Sequence, residues 1–540
     1  MSLSSFHAIK QLPDVSELTL EQKVAQLVQI DIPDKAELSE TTRQHLQRYA
    51  YNGVILFEKN VGDRSQVVHL IESLHDLCEV APMITADQEG GLVDRFRFAQ
   101  MSCSPGAMAL AATGDPRWTQ RAHEIMGVEL ASLGVTLSFA PCLDVNNNPA
   151  NPIIGARSFG ADSHTVRNHG VAALLGLQAG GVGACAKHFP GHGDTDQDSH
   201  LELPSVRKTR AELDRIELAP FRAAIEAGVD AVMTAHIVFP ALDSTPELPA
   251  TLSYPILTNL LREEMGFDGV IFTDSMAMQA VARKFGVGEA AVMAVEAGAD
   301  VVLACGSFEN HIATVEGLLA AVASGRLSEQ RIDDSVERIF ELKSRYGRLP
   351  QREPGYPMME HHHTMAAICD RSITVLSGAH QVALAGRCLI LIPDVLPQTH
   401  LGEVDRQVSL AQALAQYNVN PSLQIEEERY HLNGSGESWR DLSARAAGYD
   451  QVVVCLFSRS RLPDGQRMLV ENLVRDGVSP TLVSFSSPYL FVGLPEQHRA
   501  LVLAYNYSPL TLGSLARVLL GLHKAVGRCP VATSNLASKD

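Results

Sequence analysis

The sequence lacks the excess of basic charge with which proteins bind nucleic acids and anionic membranes. Among its 540 residues, 62 are acidic and 44 are basic, which gives a formal net charge of −18 at pH 7. A chain with this charge is repelled by phosphate backbones and by anionic lipid surfaces. We therefore expect neither nucleic acid nor membrane as a partner.

Segments for export or membrane insertion are also missing. The first residues, MSLSSFHAIKQLPDVSEL, have neither the basic nor the apolar region of a signal peptide, and no apolar run approaches the length that spans a bilayer. The nine cysteines are scattered without a C-x-x-C pair, and several lie in apolar runs. This pattern is typical of reduced, buried thiols and predicts a cytoplasmic protein.

Short apolar runs recur through the first part of the chain and alternate with helix-like segments. Start signals mark several of these helices: Thr19 with Gln22 and Thr209 with Glu212 form capping boxes, and Asp115 precedes a proline. Eight alternations predict an α/β fold of the (β/α)8 TIM-barrel type, with an open doubly wound sheet as the alternative. The eight predicted strands are Ala25–Ile30, Gly53–Phe57, Pro82–Ala86, Gly134–Leu143, Gly181–Ala186, Gly228–Thr234, Gly269–Thr273 and Gly298–Ala304.

The composition changes after Gly347. The stretch RLPQREPGYPMMEHHH is rich in proline and charge, so we expect a linker over residues 348–364, with the three histidines on an exposed face. The barrel would then occupy residues 1–347. Five further apolar runs predict that residues 365–540 form a smaller αβα sandwich domain; these runs are ITVL, CLILIP, QVVVCLF, PTLVSF and ALVLAY.

Charged and imidazole side chains follow the predicted barrel strands. Enzymes with a barrel fold have their active-site residues at the carboxyl ends of the strands. One such residue is often only a helix cap, but five or more converging groups are hard to explain in that way. The groups are Glu58, Asp87, Asp144, Lys187, His188, His236 and Asp274.

The segment KHFPGHGDTDQDSH, residues 187–200, directly follows an apolar run and is dense in polar side chains. Asp198 and His200 lie two positions apart, a spacing that lets a carboxylate orient an imidazole and raise its basicity for proton transfer. A calcium loop is the alternative for the alternating aspartates. Such a loop needs Gly at its sixth position and Glu at its twelfth, where this sequence has Ser199 and Ser205.

Three segments, ITADQEGGLVDRF, KHFPGHGDTDQDSH and GFDGVIFTDSMAM, resemble the signatures of glycoside hydrolase family 3, and most closely those of its NagZ-like β-N-acetylglucosaminidases. The segments FAPCLDVNNNPANPIIGARSFG and MTAHIVFPALD match as well, so the resemblance covers nearly the whole barrel. The second half resembles, more loosely, the αβα sandwich of the two-domain members.

The resemblance implies the catalytic groups. Asp274 matches the family's nucleophile, a carboxylate that attacks the anomeric carbon and forms a covalent glycosyl-enzyme. His200 with Asp198 matches the acid/base dyad of the β-N-acetylglucosaminidase branch. We expect Lys187 to lower the pKa of Asp274 and to keep it ionised. The alternative role of Asp274 is to cap a helix that begins at Ser275.

The resemblance also implies the substrate-binding residues. Asp87, Arg157, Lys187 and His188 match the family's hydroxyl-binding positions, and such side chains bracket vicinal hydroxyls with charge-assisted hydrogen bonds. As structural alternatives, Arg157 pairs with Asp144, and Lys187 pairs with a barrel carboxylate.

Other positions are less defined. His236 matches a family motif and is either a ligand contact or a packed core histidine. Leu92 replaces an arginine that is common in single-domain members, which leaves the group beyond the first sugar open. Because the dyad of Asp198 and His200 supplies the acid/base, we expect the second domain to be structural or to form a wall of the substrate cleft.

Taken together, the resemblance implies a retaining, exo-acting β-N-acetylglucosaminidase that cleaves chito-oligosaccharides or peptidoglycan fragments without a cofactor or metal. Phosphate in place of water as the acceptor would make the enzyme a phosphorylase. A zinc-dependent barrel hydrolase using His188, His236 and Asp274 is an alternative of another class, disfavoured because the first strand lacks a His-x-His pair. A sugar-binding protein is disfavoured because pure binding needs neither Asp274 nor the dyad.

Overall fold

The computed structural model describes residues 9–196, 203–394, 407–432, 434, 436–459 and 461–532. It contains an eight-stranded sheet followed along the chain by a six-stranded sheet. Among the helices in these ranges, none combines the length and the apolar character that crossing a bilayer requires.

The first sheet is a parallel barrel, which confirms the predicted (β/α)8 architecture. β1 pairs with both β2 and β8, and a bridge between Phe272 and Val301 connects β7 to the residue before β8. The closed ring gathers the carboxyl ends of all strands at one face. The strands are β1 Val28–Asp31, β2 Gly53–Leu56, β3 Met83–Ala86, β4 Leu137–Ser138, β5 Gly183–Phe189, β6 Ala231–Thr234, β7 Val270–Phe272 and β8 Val302–Ala304.

Helices surround the barrel and begin at the predicted signals. Thr19 and Thr209 each form a capping box, and Asp115 caps a helix whose first residue is Pro116. A π-helix spans Pro255–Glu264. The α-helices are α1 Leu20–Gln26, α2 Glu40–Arg48, α3 Arg64–Leu77, α4 Ala107–Ala112, α5 Pro116–Ser132, α6 Ser163–Ala179, α7 Arg210–Arg215, α8 Leu218–Glu226, α9 Gln279–Phe285, α10 Val287–Ala297, α11 Phe308–Ala323 and α12 Glu329–Tyr346.

Each of the eight strands differs from its predicted bounds by at least one residue, and for two of them the cause is local. The run from Ala25 begins inside α1, because its first apolar residues form the buried face of a helix rather than a strand. The long run Gly134–Leu143 yields only β4. Beyond β4 the backbone still bonds to β5, with Cys185 N donating to Ala140 O at 2.8 Å, but Pro141 has no amide hydrogen and the ladder becomes irregular.

The second sheet has helices on both faces, as an αβα sandwich requires. Consecutive residues of one strand, Ile390 and Leu391, pack into different apolar clusters on opposite sides of the sheet. The strands are β9 Thr374–Ser377, β10 Arg387–Pro393, β11 Gln424–Tyr430, β12 Gln451–Leu456, β13 Thr481–Ser484 and β14 Ala500–Leu503, in the order β11-β10-β12-β13-β14-β9 with only β9 antiparallel. The helices are α13 Met358–Ser372, α14 Leu410–Tyr417, α15 Gly436–Ala446, α16 Asp464–Arg475 and α17 Pro509–Leu519.

The second part of the expected linker is helical: α13 begins at Met358. Within it His361 is buried, stacks on Tyr356, and places Nδ1 2.9 Å from Glu129 Oε1 on α5. The expectation that this histidine lies on an exposed linker face is therefore wrong: the helix packs its polar side chain against a barrel carboxylate.

The two sheets meet through both apolar and polar contacts. Met108 and Ala156 of the barrel domain belong to the same apolar cluster as side chains of the second sheet. Tyr489 Oη donates to Asn146 O at 2.9 Å, and Asn506 Nδ2 donates to a barrel-domain carbonyl at 2.8 Å. The second domain is thus held against the loops that follow the barrel strands.

Candidate active site

One cavity at the carboxyl ends of the barrel strands collects most of the predicted site residues. Asp87 follows β3, Lys187 and His188 lie in β5, Asp274 follows β7, and Arg157 ends a short 3-10 helix. All five line the same cavity. The predicted acid/base residues at positions 198 and 200 lie outside the described residues.

Lys187 is the centre of a buried ion-pair network. Its Nζ lies 2.6 Å from Asp87 Oδ1 and 2.6 Å from Glu89 Oε1, and its side chain is only 2% exposed. Arg95 Nη2 approaches the other oxygen of Asp87 at 3.6 Å. The structural alternative for Lys187, a pair with barrel carboxylates, is therefore observed, and this pairing holds its ammonium group in the cavity wall.

Arg157 is paired with Glu89 and not with Asp144, so the structural alternative for this arginine is wrong. Its Nε donates to Glu89 Oε2 at 2.9 Å, and its Nη2 donates to Glu89 Oε1 at 2.7 Å. Such a bidentate pair fixes the plane of the guanidinium group. Glu89 was not singled out from the sequence, although it lies in the quoted DQEGG motif.

The network keeps its members charged. Burial alone would raise the pKa of Asp87 and Glu89, but the neighbouring cations lower both pKa values below their usual range. Burial alone would lower the pKa of Lys187, and its two carboxylate neighbours raise it instead. The wall therefore presents fixed carboxylates and cations at neutral pH, the arrangement that binds sugar hydroxyls in both their donor and acceptor roles.

His188 is oriented by Asp144. Its Nδ1 lies 2.7 Å from Asp144 Oδ2, and the other oxygen accepts hydrogen bonds from His188 N at 3.2 Å and His192 N at 2.6 Å. Burial would raise the pKa of Asp144, but His188 lowers it well below its usual range. Because an ionised carboxylate only accepts, Nδ1 of His188 carries the hydrogen of this bond.

Asp274 is hydrogen-bonded to the backbone of the turn that follows it. Its Oδ1 accepts a hydrogen bond from Ser275 N at 2.7 Å. No regular helix begins at Ser275, since α9 starts at Gln279 with Met278 as its N-cap, so the helix-cap alternative is wrong. Lys187 makes its close contacts with Asp87 and Glu89. That this lysine lowers the pKa of Asp274 stays a prediction.

His236 is hydrogen-bonded to the same turn. Its Nε2 lies 3.0 Å from Ser275 O, and its Nδ1 lies 2.8 Å from Thr251 Oγ1. A carbonyl oxygen can only accept, so Nε2 donates. His236 is therefore a buried, hydrogen-bonded core histidine, which is one of the two roles expected for it. It fixes the backbone next to Asp274.

The zinc set of the alternative hydrolase, His188 with His236 and Asp274, is not assembled. Within the described ranges, one group of metal-ligating side chains is compact enough for an ion, namely Cys142, Asp144 and His188. In that group Cys142 Sγ and His188 Nδ1 both bond to Asp144 Oδ2, at 3.1 and 2.7 Å.

The second domain contributes to the cavity wall. Leu92, at the position where single-domain members have arginine, lines the cavity and packs against apolar clusters of the second domain. Arg459, after β12, and Ser486, after β13, line the cavity as well. No motif in the sequence marks these two residues. Their positions match the expectation that this domain forms a wall of the cleft.

Comparisons with known proteins find relatives of this chain. The family model "Glycosyl hydrolase family 3 N terminal domain" matches residues 19–342. The chain is 31% identical over 565 residues to beta-hexosaminidase A of Pseudoalteromonas piscicida, covering 92% of this chain and 91% of that protein. It is 38% identical over 293 residues to a beta-hexosaminidase of Thiobacillus denitrificans, covering 53% of this chain and 78% of the relative.

A solved structure is similar along almost its whole length. It is a glycoside hydrolase family 3 beta-N-acetylglucosaminidase from Paenibacillus sp. str. FPU-7, with a TM-score of 0.88 and 38% sequence identity. The alignment covers 95% of this chain and 99% of that chain, so both domains have counterparts.

Proposed function

Because the chain belongs to glycosyl hydrolase family 3 and is a glycoside hydrolase, we propose that it is a retaining, exo-acting β-N-acetylglucosaminidase. The observation that carries the proposal is that Asp274 shares one cavity with Asp87, Arg157, Lys187 and His188. The similarity to beta-hexosaminidases and to a beta-N-acetylglucosaminidase structure supports N-acetylglucosamine as the sugar that is released.

In the proposed first step, an Asp274 oxygen attacks C1 of the sugar as the bond from C1 to the leaving oxygen breaks. His200, oriented by Asp198, gives its proton to that leaving oxygen. In the second step, His200 takes a proton from water, the water oxygen bonds to C1, and the Asp274 carboxylate is released. Two displacements at one carbon retain the β configuration.

The buried ion-pair network supports recognition of the terminal sugar. Asp87 accepts hydrogen bonds from hydroxyls, whereas Lys187 and Arg157 donate. Holding these groups in place before the sugar binds reduces the entropy lost on binding. The side chains of Lys187 and Arg95 are each almost fully buried. A sugar chain that continued beyond the terminal residue would have to displace these charges, which supports an exo mode.

We further propose chito-oligosaccharides or peptidoglycan fragments as the substrates and the cytoplasm as the site of action. All nine cysteines are unpaired thiols, and six of them are buried, which supports a reducing compartment.

Product analysis on chitobiose tests the proposal. We expect free N-acetylglucosamine from chitobiose in buffer with and without phosphate, and we expect the sugar first released from p-nitrophenyl β-N-acetylglucosaminide to be the β anomer by NMR. A first-formed α anomer would contradict the retaining mechanism. N-acetylglucosamine 1-phosphate as the main product in phosphate would make the enzyme a phosphorylase, and no turnover would contradict the proposed substrate.

A further inference from the structure

The chain that leads to the proposed acid/base is held by the loop after β4. Asn151 Nδ2 donates to His192 O at 2.8 Å and to Thr195 Oγ1 at 3.2 Å. Gly193 packs so closely on the same loop that a Cβ at its position would lie 1.8 Å from Val145 O. Only a residue without a side chain permits this approach, so the chain follows a fixed path up to Thr195.

The chain that follows the proposed acid/base is held by the loop after β6. Val206 N donates to Val238 O at 3.0 Å, and Val238 N donates to Pro204 O at 2.9 Å. Asp198 and His200 therefore belong to a stretch of sequence whose described flanks are both bonded to loops of the barrel.

Lys208 joins these two flanks. Its Nζ lies 2.9 Å from Asp194 Oδ2, and the same ammonium group donates to Glu217 Oε1. Asp194 precedes the proposed acid/base in the sequence and Lys208 follows it, with thirteen residues between the two. A contact between such positions closes a loop, which reduces the number of conformations open to the residues inside it.

Glu217 anchors this contact in the barrel domain. Its side chain is 1% exposed, and it stands directly before α8, whose residues Leu218 and Phe221 are buried. A Cβ added at Gly191 would lie 2.8 Å from the Cβ of Glu217, so this glutamate also touches the chain just before Asp194. The Lys208 side chain is 15% exposed, and such shielding from water strengthens its attraction to both carboxylates.

Any influence of Lys208 on the reaction has to pass through another group. Among the described residues, those that line the cavity with Asp274 do not include Lys208, Asp194 or Glu217. The thirteen residues that Lys208 and Asp194 enclose include Asp198 and His200, the proposed acid/base.

We propose that Lys208 is a positioning residue for the acid/base: by joining Asp194 to Glu217, it fixes the span of the segment that carries Asp198 and His200. The inference rests on the proposed function, because it has meaning only if His200 protonates the leaving oxygen. Without this contact, His200 lies within reach of that oxygen for a smaller fraction of the time, whereas the attack by Asp274 is unchanged. The loss of rate therefore depends on how much the leaving group needs a proton.

Lys208→Met tests this role. The measured quantity is the ratio of kcat/KM for chitobiose, whose leaving group needs a proton, to kcat/KM for p-nitrophenyl N-acetylglucosaminide, whose leaving group needs little help. We expect the ratio to fall about tenfold, within the loss of about 100-fold that a small misplacement of a reacting group can cause. Lys208→Arg should restore most of the ratio, because a guanidinium group also donates to two carboxylates.

Lys23→Met is the matched control. Lys23 also contacts two carboxylates, Glu329 at 3.2 Å and Asp333 at 2.8 Å, and its side chain is 8% exposed, but it lies on α1 before the first barrel strand. Its loss should leave the ratio unchanged, even where the melting temperature falls. If Lys208→Met is unfolded, Asp194→Asn decides, since it keeps the pair of Lys208 with Glu217 and should lower the ratio about threefold.

A double variant shows whether Lys208 acts through His200. In a His200→Ala background, Lys208→Met should not lower the ratio further, because the group that it positions is already missing. A further tenfold fall, or an unchanged ratio in folded Lys208→Met and Asp194→Asn, would overturn the positioning role while a lowered ratio in His200→Ala upholds the proposed function. No turnover of either substrate by the wild type would overturn both.

Discussion

Glu89 and Arg157 are joined by two parallel hydrogen bonds, and the same Glu89 oxygen that accepts from Arg157 Nη2 at 2.7 Å also lies 2.6 Å from Lys187 Nζ. One buried carboxylate therefore orients two cations that we propose to bind the sugar. Glu89 is a positioning residue: its partners face the substrate, and it sets the distance and the plane in which they do so.

Glu89→Gln tests this role. The amide keeps the shape of the side chain but removes the charge, so Arg157 loses its carboxylate partner and Lys187 keeps only Asp87. We expect the free energy of unfolding to fall by about 3–5 kcal/mol, as when a buried ion pair loses one partner. We expect kcat/KM on p-nitrophenyl N-acetylglucosaminide to fall about 100-fold.

Glu289→Gln is the matched control. Glu289 also forms a bidentate pair with an arginine, through Nη1 and Nη2 of Arg326 at 2.8 Å for both bonds, but its side chain is 51% exposed. Exposed pairs contribute at most about 1 kcal/mol, so activity should stay at the wild-type level. If the two variants behave alike, Glu89 has no special role.

Asp144→Asn tests the orientation of His188. The amide can donate as well as accept, so it no longer requires Nδ1 of His188 to carry the hydrogen. Loss of such a supporting group commonly lowers activity by about 10- to 100-fold, and we expect a loss in kcat/KM of that size. Nitrogen-15 shifts of the imidazole should show a mixture of tautomers in the variant; unchanged shifts with unchanged activity would contradict the assignment.

His200→Ala tests the proposed acid. An alkoxide leaves C1 poorly without a proton, whereas p-nitrophenolate needs little help. We expect kcat on chitobiose to fall about 100-fold or more, within the range of general acid catalysis, with a smaller loss on the aryl substrate. Equal losses on both substrates would argue that His200 is not the acid.

Lys343 makes stability depend on pH. It is buried under the barrel, with Nζ donating to Gln26 Oε1 at 2.7 Å and to Ala81 O at 3.0 Å. Burial lowers its pKa from 10.5 to about 7. Between these values the unfolded chain binds the proton and the folded chain does not, so the free energy of unfolding rises with pH, by up to about 1.4 kcal/mol per pH unit.

Denaturant titrations from pH 7 to pH 9 measure this effect. Lys343→Met should lose most of the rise, whereas Lys35→Met, at an exposed position, should keep it. In the folded chain the neighbours His75 and Cys78 stay neutral over this range, because burial lowers the pKa of His75 to about 4 and raises that of Cys78 to about 11. Both residues are present in the wild type and in Lys343→Met, so their ionisation in the unfolded chain cancels between the two profiles. Parallel pH profiles for the wild type and Lys343→Met would refute the assignment.

Much of the barrel and of its binding wall could be predicted from the sequence, because most of the predicted residues lie at or just after the carboxyl end of a buried strand. Asp87, Lys187 and Asp274 lie far apart in the chain, yet the closed ring brings them into one cavity. The rule that the carboxyl ends of barrel strands converge was sufficient to predict this cavity. The rule did not predict which carboxylate pairs with Arg157, because the choice between Asp144 and Glu89 depends on the path of a loop.

Other features had no usable signal in the sequence. The strand β11 was missed because it reads QIEEERY, and as an edge strand paired only with β10 it carries charge where inner strands carry apolar residues. Arg459 and Ser486 reach the cavity only because a second sheet docks on the barrel, a contact between distant segments that local patterns do not encode.

The central claim is that Asp274 forms a covalent bond with the sugar. Incubation with 5-fluoro-N-acetylglucosaminyl fluoride slows the second displacement and traps the adduct, and peptide mass spectrometry then identifies the modified residue. We expect a 1:1 adduct whose fragment ions place the sugar on Asp274, with no labelling of Asp274→Ala. An adduct on any other side chain, or inactivation without one, would contradict the account.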